Sequence, residues 1–345
     1  MKRSKFKKLK KHGMVKSESR YGLTTYDWTA KAYLTPYEST SQLLRSSRGI
    51  VFDRWNNLVA RPFDAVSQSI DLIPEEGLSV SPLLPGKALG LVYSHKGDTY
   101  AHTAGSFTNV DQDSLIQERV TPFGPDGWAP ETGTTFMVQL VGPSVPSIGE
   151  SEFDVDTLVC LAEVKLDGSE VPMKETDWPG NKVITSDNRT KEEVIQYLKG
   201  DVPLGVVVSW NAEGRVRRGV IRSPRQIAAE QIFRDPSVET VWGALALNGV
   251  QPEDFNHFPP LAEKVSSCLE EFHRSVLRVQ EEYELHLAGL PEAVNLAPNI
   301  LMSEEDFAAS VEGMELAPAF LKIFRGESCH PECWEAVREA ALDAS

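Results

Sequence analysis

Cysteine is scarce, with four in 345 residues. That is too few for a disulfide framework, and a reducing cytoplasm is the expected compartment. Long apolar runs are absent as well: none approaches the roughly 18 residues of a membrane span. The opening MKRSKFKKLKKHG has no apolar stretch behind it, so it reads as a basic arm over residues 1–20, expected to be mobile, and not as a secretory leader. Basic residues are themselves scarce in one region. Residues 226–345 hold seven Lys or Arg against 22 Asp or Glu, a deficit of 15 that equals the net charge of the whole chain. A protein coated in nucleic acid is therefore not expected, but the neutral first 225 residues leave room for a local basic groove on a phosphate backbone.

What is present is β structure, then helix. Candidate strands are RGIVFD (48–53), NLVARPF (57–63), ALGLVYSH (88–95), TYAHT (99–103), TTFMVQLV (134–141), TLVCLAEV (157–164), LGVVVSW (204–210) and GRVRRGVIR (214–222). Few of them alternate with helices, which disfavours a doubly wound parallel sheet and favours an α+β domain of packed antiparallel sheets. One helix is signed by a capping box, Thr190 with Glu193 ahead of VIQYL. Beyond residue 225 the period changes: Leu261, Val265, Leu269, Phe272, Val276, Val279, Tyr283 and Leu287 recur every three or four residues, the mark of a long amphipathic helix. Shorter helical patterns follow at 303–312, 316–325 and 332–343. The chain thus reads as two domains, with a boundary near residues 223–226 and an acidic all-α domain over 226–345, a surface suited to a protein partner.

In SPLLPGKALGLVYSHKGDTYAHTAGSFTN (81–109), Leu89, Leu91 and Tyr93 alternate with Gly90, Val92 and Ser94, the period of a strand. HKGD turns the chain back, and Lys87 stands just ahead, where a reactive amine would sit. The GK pair is not a phosphate loop, because Ser81 replaces the first glycine and Ala88 the Ser or Thr.

SSRGIVFDRWNNLVARPFDAVSQ (46–68), this hairpin, TTFMVQLVGPSVPSI (134–148) and LGVVVSWNAEGRVRRGVIRSP (204–224) together resemble the RNA ligase family of the T-even phage tRNA-repair type. The acidic tail resembles that family's C-terminal helical domain. The resemblance implies a nucleotidyltransferase fold over residues 21–225, ATP and Mg²⁺ as cofactors, RNA (tRNA among the candidates) as partner, and a Lys–AMP intermediate. Carried over residue by residue, it keeps the arginine of the RG step as Arg48. It puts the nucleophile position at Leu84, the motif aspartate and glycine at Gly86 and Lys87, and a lysine and two phenylalanines at Ala65, Val66 and Ser67. It places a second-strand arginine at Ala104, a glutamate at Gln139, an Asn-Arg pair at Val145 and Pro146, a metal-site glutamate at Leu204, and a K-x-K pair at Val220 and Arg222. Most of these substitutions remove a charge, Val66 and Ser67 remove an aromatic platform, Lys87 adds a charge at the glycine position and Arg222 keeps one; each lost stabilising donor costs a transition state about 3–4 kcal/mol.

Three readings follow. The first is a degenerate ligase that keeps RNA or nucleotide binding. The second is an active ATP-dependent ligase using Lys87 as a displaced nucleophile, with Arg48, Arg217, Arg218 and Arg222 on phosphates. The third is an interaction role for the acidic helices. Arg215, Arg217, Arg218, Arg222 and Arg225 form the densest basic cluster outside the arm. They serve either as RNA-backbone contacts or as charge that keeps a strand edge soluble. Cys329-His330-Pro331-Glu332-Cys333 has a spacing unusual for zinc, Cys268 and His273 could join it only through folding, and no metal site is assigned. His95 and His102 lie on the two arms of the hairpin, as base-stacking groups or as strand fillers.

Overall fold

Leu89–His95 is the strand on which the first half of the chain is assembled. In the computed structural model, which describes residues 1–67, 70–85, 89–107, 110–121, 128–145, 147, 153–198, 204–248, 250–290, 302–314 and 316–325, the chain divides into Met1–Ser223 and Pro224–Ser345. The first unit holds, in order, α1 (Arg3–Lys11), β1 (Val15–Arg20), β2 (Leu23–Trp28), α2 (Ala30–Tyr33), α3 (Gln42–Arg45), β3 (Val51–Asp53), β4 (Leu58–Ala60), β5 (Leu78–Pro82), β6 (Leu89–His95), β7 (Asp98–Thr103) and α4 (Val110–Val120). It continues with β8 (Thr134–Val141), β9 (Thr157–Lys165), β10 (Glu170–Val171), β11 (Asn181–Lys182), β12 (Ser186–Arg189), α5 (Lys191–Leu198), β13 (Gly205–Ala212) and β14 (Arg215–Arg222).

These strands form three sheets: β1-β2-β3-β4, β10-β9-β8-β6-β7 with β11 beside β9, and β12-β5-β13-β14. Pairing is antiparallel except between β11 and β9, as expected for an α+β fold. The period-2 pattern of β6 places its residues on two buried faces. Leu91 and Tyr93 pack with Leu23, Val51, Ala60, Met137 and Ala162, while Val92 packs with Ile116, Phe136, Val138 and Trp178. Gly90 is required by close approach: a Cβ there would lie 3.0 Å from both Ile116 Cδ1 and Val138 Cγ2.

The capping box forms as read. The Thr190 backbone N–H donates to Glu193 Oε2 at 2.8 Å, and the Glu193 N–H to Thr190 Oγ1 at 3.2 Å. The outer edge of β14 is met by one residue, Ser67, whose N–H donates to the Arg218 carbonyl and whose carbonyl accepts from the Val220 N–H, both at 2.9 Å.

The basic opening segment is not a free arm. Residues 3–11 are α1, and Phe6 within it is fully buried against Tyr26 and Phe52, with ring centroids 5.5 and 5.3 Å away. The Arg3 guanidinium donates to Thr24 Oγ1 at 2.7 Å and to the Asp53 carbonyl and Asn56 Oδ1 at 3.2 Å. Phe6 and Leu9, three residues apart among lysines, are the apolar stripe that docks it.

The second unit is helical throughout its described part: α6 (Pro224–Arg234), α7 (Val238–Asn248), α8 (Pro259–Ala288), α9 (Glu304–Ser310) and α10 (Ala317–Phe324). The long helix buries Val265, Phe272, Val279, Tyr283 and Leu287, five of the eight positions in the periodic stripe, and adds Cys268. Tyr283 meets Phe307 and Phe320 edge-on. The expected helix at 332–343 and the Cys329–Cys333 segment lie outside the described residues.

Replacing Phe6 by Ala should destabilise the first unit by about 3–5 kcal/mol, the usual cost of emptying a buried aromatic site. Denaturant unfolding would measure it. A loss under about 1 kcal/mol would mean that α1 is not held by this ring.

Candidate functional site

A cavity of about 200 Å³ lies where the first unit's sheets converge. Leu89 of β6, Met137 and Gln139 of β8, Leu161 of β9, and Val207, Arg218 and Val220 of β13 and β14 supply its walls. The chain after β4 adds Pro62, Phe63, Ala65 and Val66, the chain after β5 adds Leu83 and Leu84, and Arg48 and Val183 complete it. Arg48, Ala65, Val66, Leu84, Gln139 and Val220, six positions that the ligase resemblance marks, thus line one cavity. Ala104, Val145 and Leu204 do not line it: Val145 and Leu204 are buried, and Ala104 packs against the cluster of Leu91, Tyr93 and Met137. Lys87 lies outside the described residues, two residues before the cavity-lining Leu89.

The lining is largely apolar. The Gln139 side-chain amide is turned onto backbone, donating to the Leu84 and Pro85 carbonyls at 3.2 and 2.9 Å. The residue aligned with a catalytic glutamate therefore closes the loop that carries the residue aligned with the nucleophile. No carboxylate lines the cavity among the described residues, so its donor set does not fit Mg²⁺, which takes hard oxygen ligands. Among the described residues no three His, Cys, Asp or Glu side chains gather as a metal site anywhere. The volume is also below the roughly 300–1,000 Å³ usual for ligand pockets.

Of the two cations lining the cavity, Arg218 is committed to a protein partner. Arg218 makes a two-pronged ion pair with Glu170, at 2.7 Å for one prong, with both side chains about nine-tenths buried. Its guanidinium also lies 4.5 Å from the centre of the Phe63 ring. Beyond Arg218 lies a second cavity of about 340 Å³, bounded by Glu170, Lys174, Asp187 and Asn211. The Arg218–Glu170 pair thus stands between the two spaces. Arg48 is partly exposed, 3.8 Å from Asp27 and 5.6 Å from the Tyr33 ring. Burial pushes the Asp27 carboxyl above its usual range, with Arg48 and Lys16 opposing.

The remaining arginines of the cluster are scattered. Arg217, on the opposite face of β14, is buried and pairs with Glu213 at 2.6 Å. Arg215 lies beside Arg61, whose pKa is lowered first by burial and then by Arg215's charge. Arg61 itself donates to the Asp167 carbonyl at 2.6 Å. Arg222 is half-buried at the end of β14, across from Gly205. Arg225 belongs to α6 of the second unit and holds Asp254 with two hydrogen bonds of 3.0 Å.

His102 is a core residue. It is 4 % exposed, its Nδ1 is 2.8 Å from the Thr103 carbonyl, and its Nε2 is 3.2 Å from the Tyr93 hydroxyl. A carbonyl accepts only, so Nδ1 carries the proton and Tyr93 donates to Nε2. Burial lowers the pKa of His102. Neither it nor His95 lines the cavity. Phe63 and Glu170, which do shape Arg218, were not singled out from sequence: nothing marks Glu170 as the partner of a residue 48 positions away.

No family model and no curated protein matches the chain. Solved structures do. The chain is similar to an archaeal ATP-dependent RNA ligase, solved as form 1 and form 2. Form 1 has 14 % identity, TM-score 0.50, and 79 % of each chain covered. Form 2 has 14 % identity, TM-score 0.49, and 83 % of this chain and 80 % of that one covered. In fold the chain is similar to this ATP-dependent RNA ligase.

Two consequences follow. Glu170→Ala leaves Arg218 buried without its carboxylate and should cost about 3–5 kcal/mol, whereas Glu170→Leu with Arg218→Met should recover most of it. Denaturant midpoints decide, and a harmless single change would show that the pair is not structural. Because His102 is harder to protonate folded than unfolded, stability should be full above about pH 6.5 and fall as pH drops below it. His102→Gln should flatten that part of the urea-midpoint profile, and a profile identical to wild type would refute the assignment.

Proposed function

We propose that this protein is a degenerate ligase-fold nucleotidyltransferase, one that forms no Lys–AMP and whose remaining partner is RNA. The observation that supports the loss of chemistry is the lining of the cavity. Leu84, Val220 and Gln139 occupy the positions aligned with a nucleophile, a phosphate-binding cation and a carboxylate, and they make a small apolar space. Leucine and valine can neither attack an α-phosphate nor balance its charge. Arg218, the cation deepest in the space, is neutralised by Glu170.

A second reading remains worth testing because Lys87 is two residues from the cavity-lining Leu89: an active ATP-dependent RNA ligase with a displaced nucleophile. Intact-mass measurement after incubation with ATP and Mg²⁺, on wild type and Lys87→Ala, separates the two. The expected result is no adenylate on either protein. A single adenylate on wild type that vanishes in the variant would make the protein an active ligase.

A further inference from the structure

Three turns meet at one end of the β1–β4 sheet. Leu23 is paired with Asp53, which brings the β1–β2 turn beside the β3–β4 turn. The Lys96 ammonium lies 3.7 Å from the centre of the Trp55 ring, which brings the β6–β7 turn alongside. Arg54 lies 4.0 Å from the same ring and Arg20 4.7 Å from the Tyr21 ring. Both rings face solvent, Tyr21 at 74 % and Trp55 at 51 % exposure. Helix α1 starts at this end, since Arg3 bonds Asp53 and Asn56. With Phe6 turned inward, helical geometry turns Lys7, Lys8 and Lys11 outward; all three are exposed. At this end Arg20, Arg54 and Lys96 gather with two exposed rings on a chain whose net charge is −15, while α1 covers the face of the β1–β4 sheet opposite β6. Carboxylates near this end are Asp53, buried and accepting from the backbone of Trp55 and Asn57, Asp98, across from His95, and Asp113 and Glu118, which share a pocket with Arg20 and Tyr21.

The backbone supplies an independent sign that these side chains are placed for use. The register makes Tyr21-Gly22 and Lys96-Gly97 two-residue hairpin loops, with φ of 52° and 76° in one and 57° and 88° in the other. Both central residues having positive φ defines the turn type that favours Asn-Gly or Asp-Gly. Tyrosine and lysine are poorer choices there than asparagine. Asn56, in the third turn, also has a left-handed backbone, at φ 71°. Of the five non-glycine residues with positive φ among the described residues, three sit at this end. Strained backbone of this kind clusters where side chains are held for binding.

The geometry points to a binding surface for single-stranded nucleic acid: Trp55 and Tyr21 take bases by stacking, and Arg20, Arg54 and Lys96 take phosphates. An unpaired strand fits better than a duplex because its bases are free to stack. A base stacks on an indole more strongly than an exposed ammonium sits over it, so Lys96 and Arg54 can yield the ring and pass to phosphate. The surface is separate from the cavity. Leu89 lines the cavity and Lys96 is seven residues further along the strand, roughly 24 Å at about 3.4 Å per residue. This inference deepens the proposed function by locating its RNA on the turns, and it does not use the arginines of β14.

The test is fluorescence anisotropy of the full chain with a labelled 12-nucleotide single-stranded RNA over a salt series, with duplex RNA and phosphatidylserine vesicles as competing probes. Trp55→Ala should weaken binding about tenfold and leave the salt slope unchanged. Arg20→Gln, Arg54→Gln and Lys96→Gln together should reduce the slope of log affinity against log salt by about 2, from about 0.7 per phosphate contact on a single strand. Tyr21→Asn and Lys96→Asn should weaken binding while the unfolding midpoint holds or rises, a combination that a purely structural role does not produce. If wild type binds the RNA and these variants bind it equally, the surface is wrong and the proposed function stands. If wild type binds no RNA, both fall. Preference for the duplex, or binding to vesicles alone, also overturns the inference.

Discussion

The constraint on which the first unit depends is that β6 is buried on both faces. A strand with one wet face can shift or twist at modest cost, but this one cannot. Leu91 and Tyr93 commit one face to the β1–β4 sheet, and Val92 commits the other to α4 and the Trp178 cluster. Gly90 lets Ile116 and Val138 close on the backbone. The two ends of this strand then acquire different characters. One opens into the small apolar cavity through Leu89, and the other ends in the tight Lys96-Gly97 turn. A slip of one residue in β6 would exchange its faces and displace both ends together.

Much of this was legible because the chemistry is local. All eight candidate strands contain an observed strand, although RGIVFD and NLVARPF keep only Val51–Asp53 and Leu58–Ala60. The capping box and the long amphipathic helix carry their signals within a few turns of chain. What escaped had weak local signals. β1 is VKSESR, with one buried residue at its start, and it is a strand because β2 pairs along its whole length. Residues 3–11 look like solvated charge because seven polar residues mask Phe6 and Leu9, and only the pocket between Tyr26 and Phe52 makes the pattern decisive.

The candidate site was legible in a different sense. Family likeness marked positions, and six of them converge on one cavity although they span Arg48 to Val220 in sequence. The arginines were less legible. Density along β14 suggested a common surface, but alternation sends Arg217 and Arg218 to opposite faces, where Glu213 and Glu170 neutralise them. Charge that clusters in sequence can thus be consumed pair by pair, while charge dispersed over three turns gathers in space.

Ser67 has a consequence for colloidal behaviour. β14 is the last strand of its sheet, and a bare last strand invites a neighbouring chain to add itself. By taking the Arg218 carbonyl and the Val220 N–H, Ser67 removes one donor and one acceptor from the middle of that margin. A foreign strand would have to break both bonds or skip a rung, so a single serine acts as a stop against sheet growth from one molecule to the next.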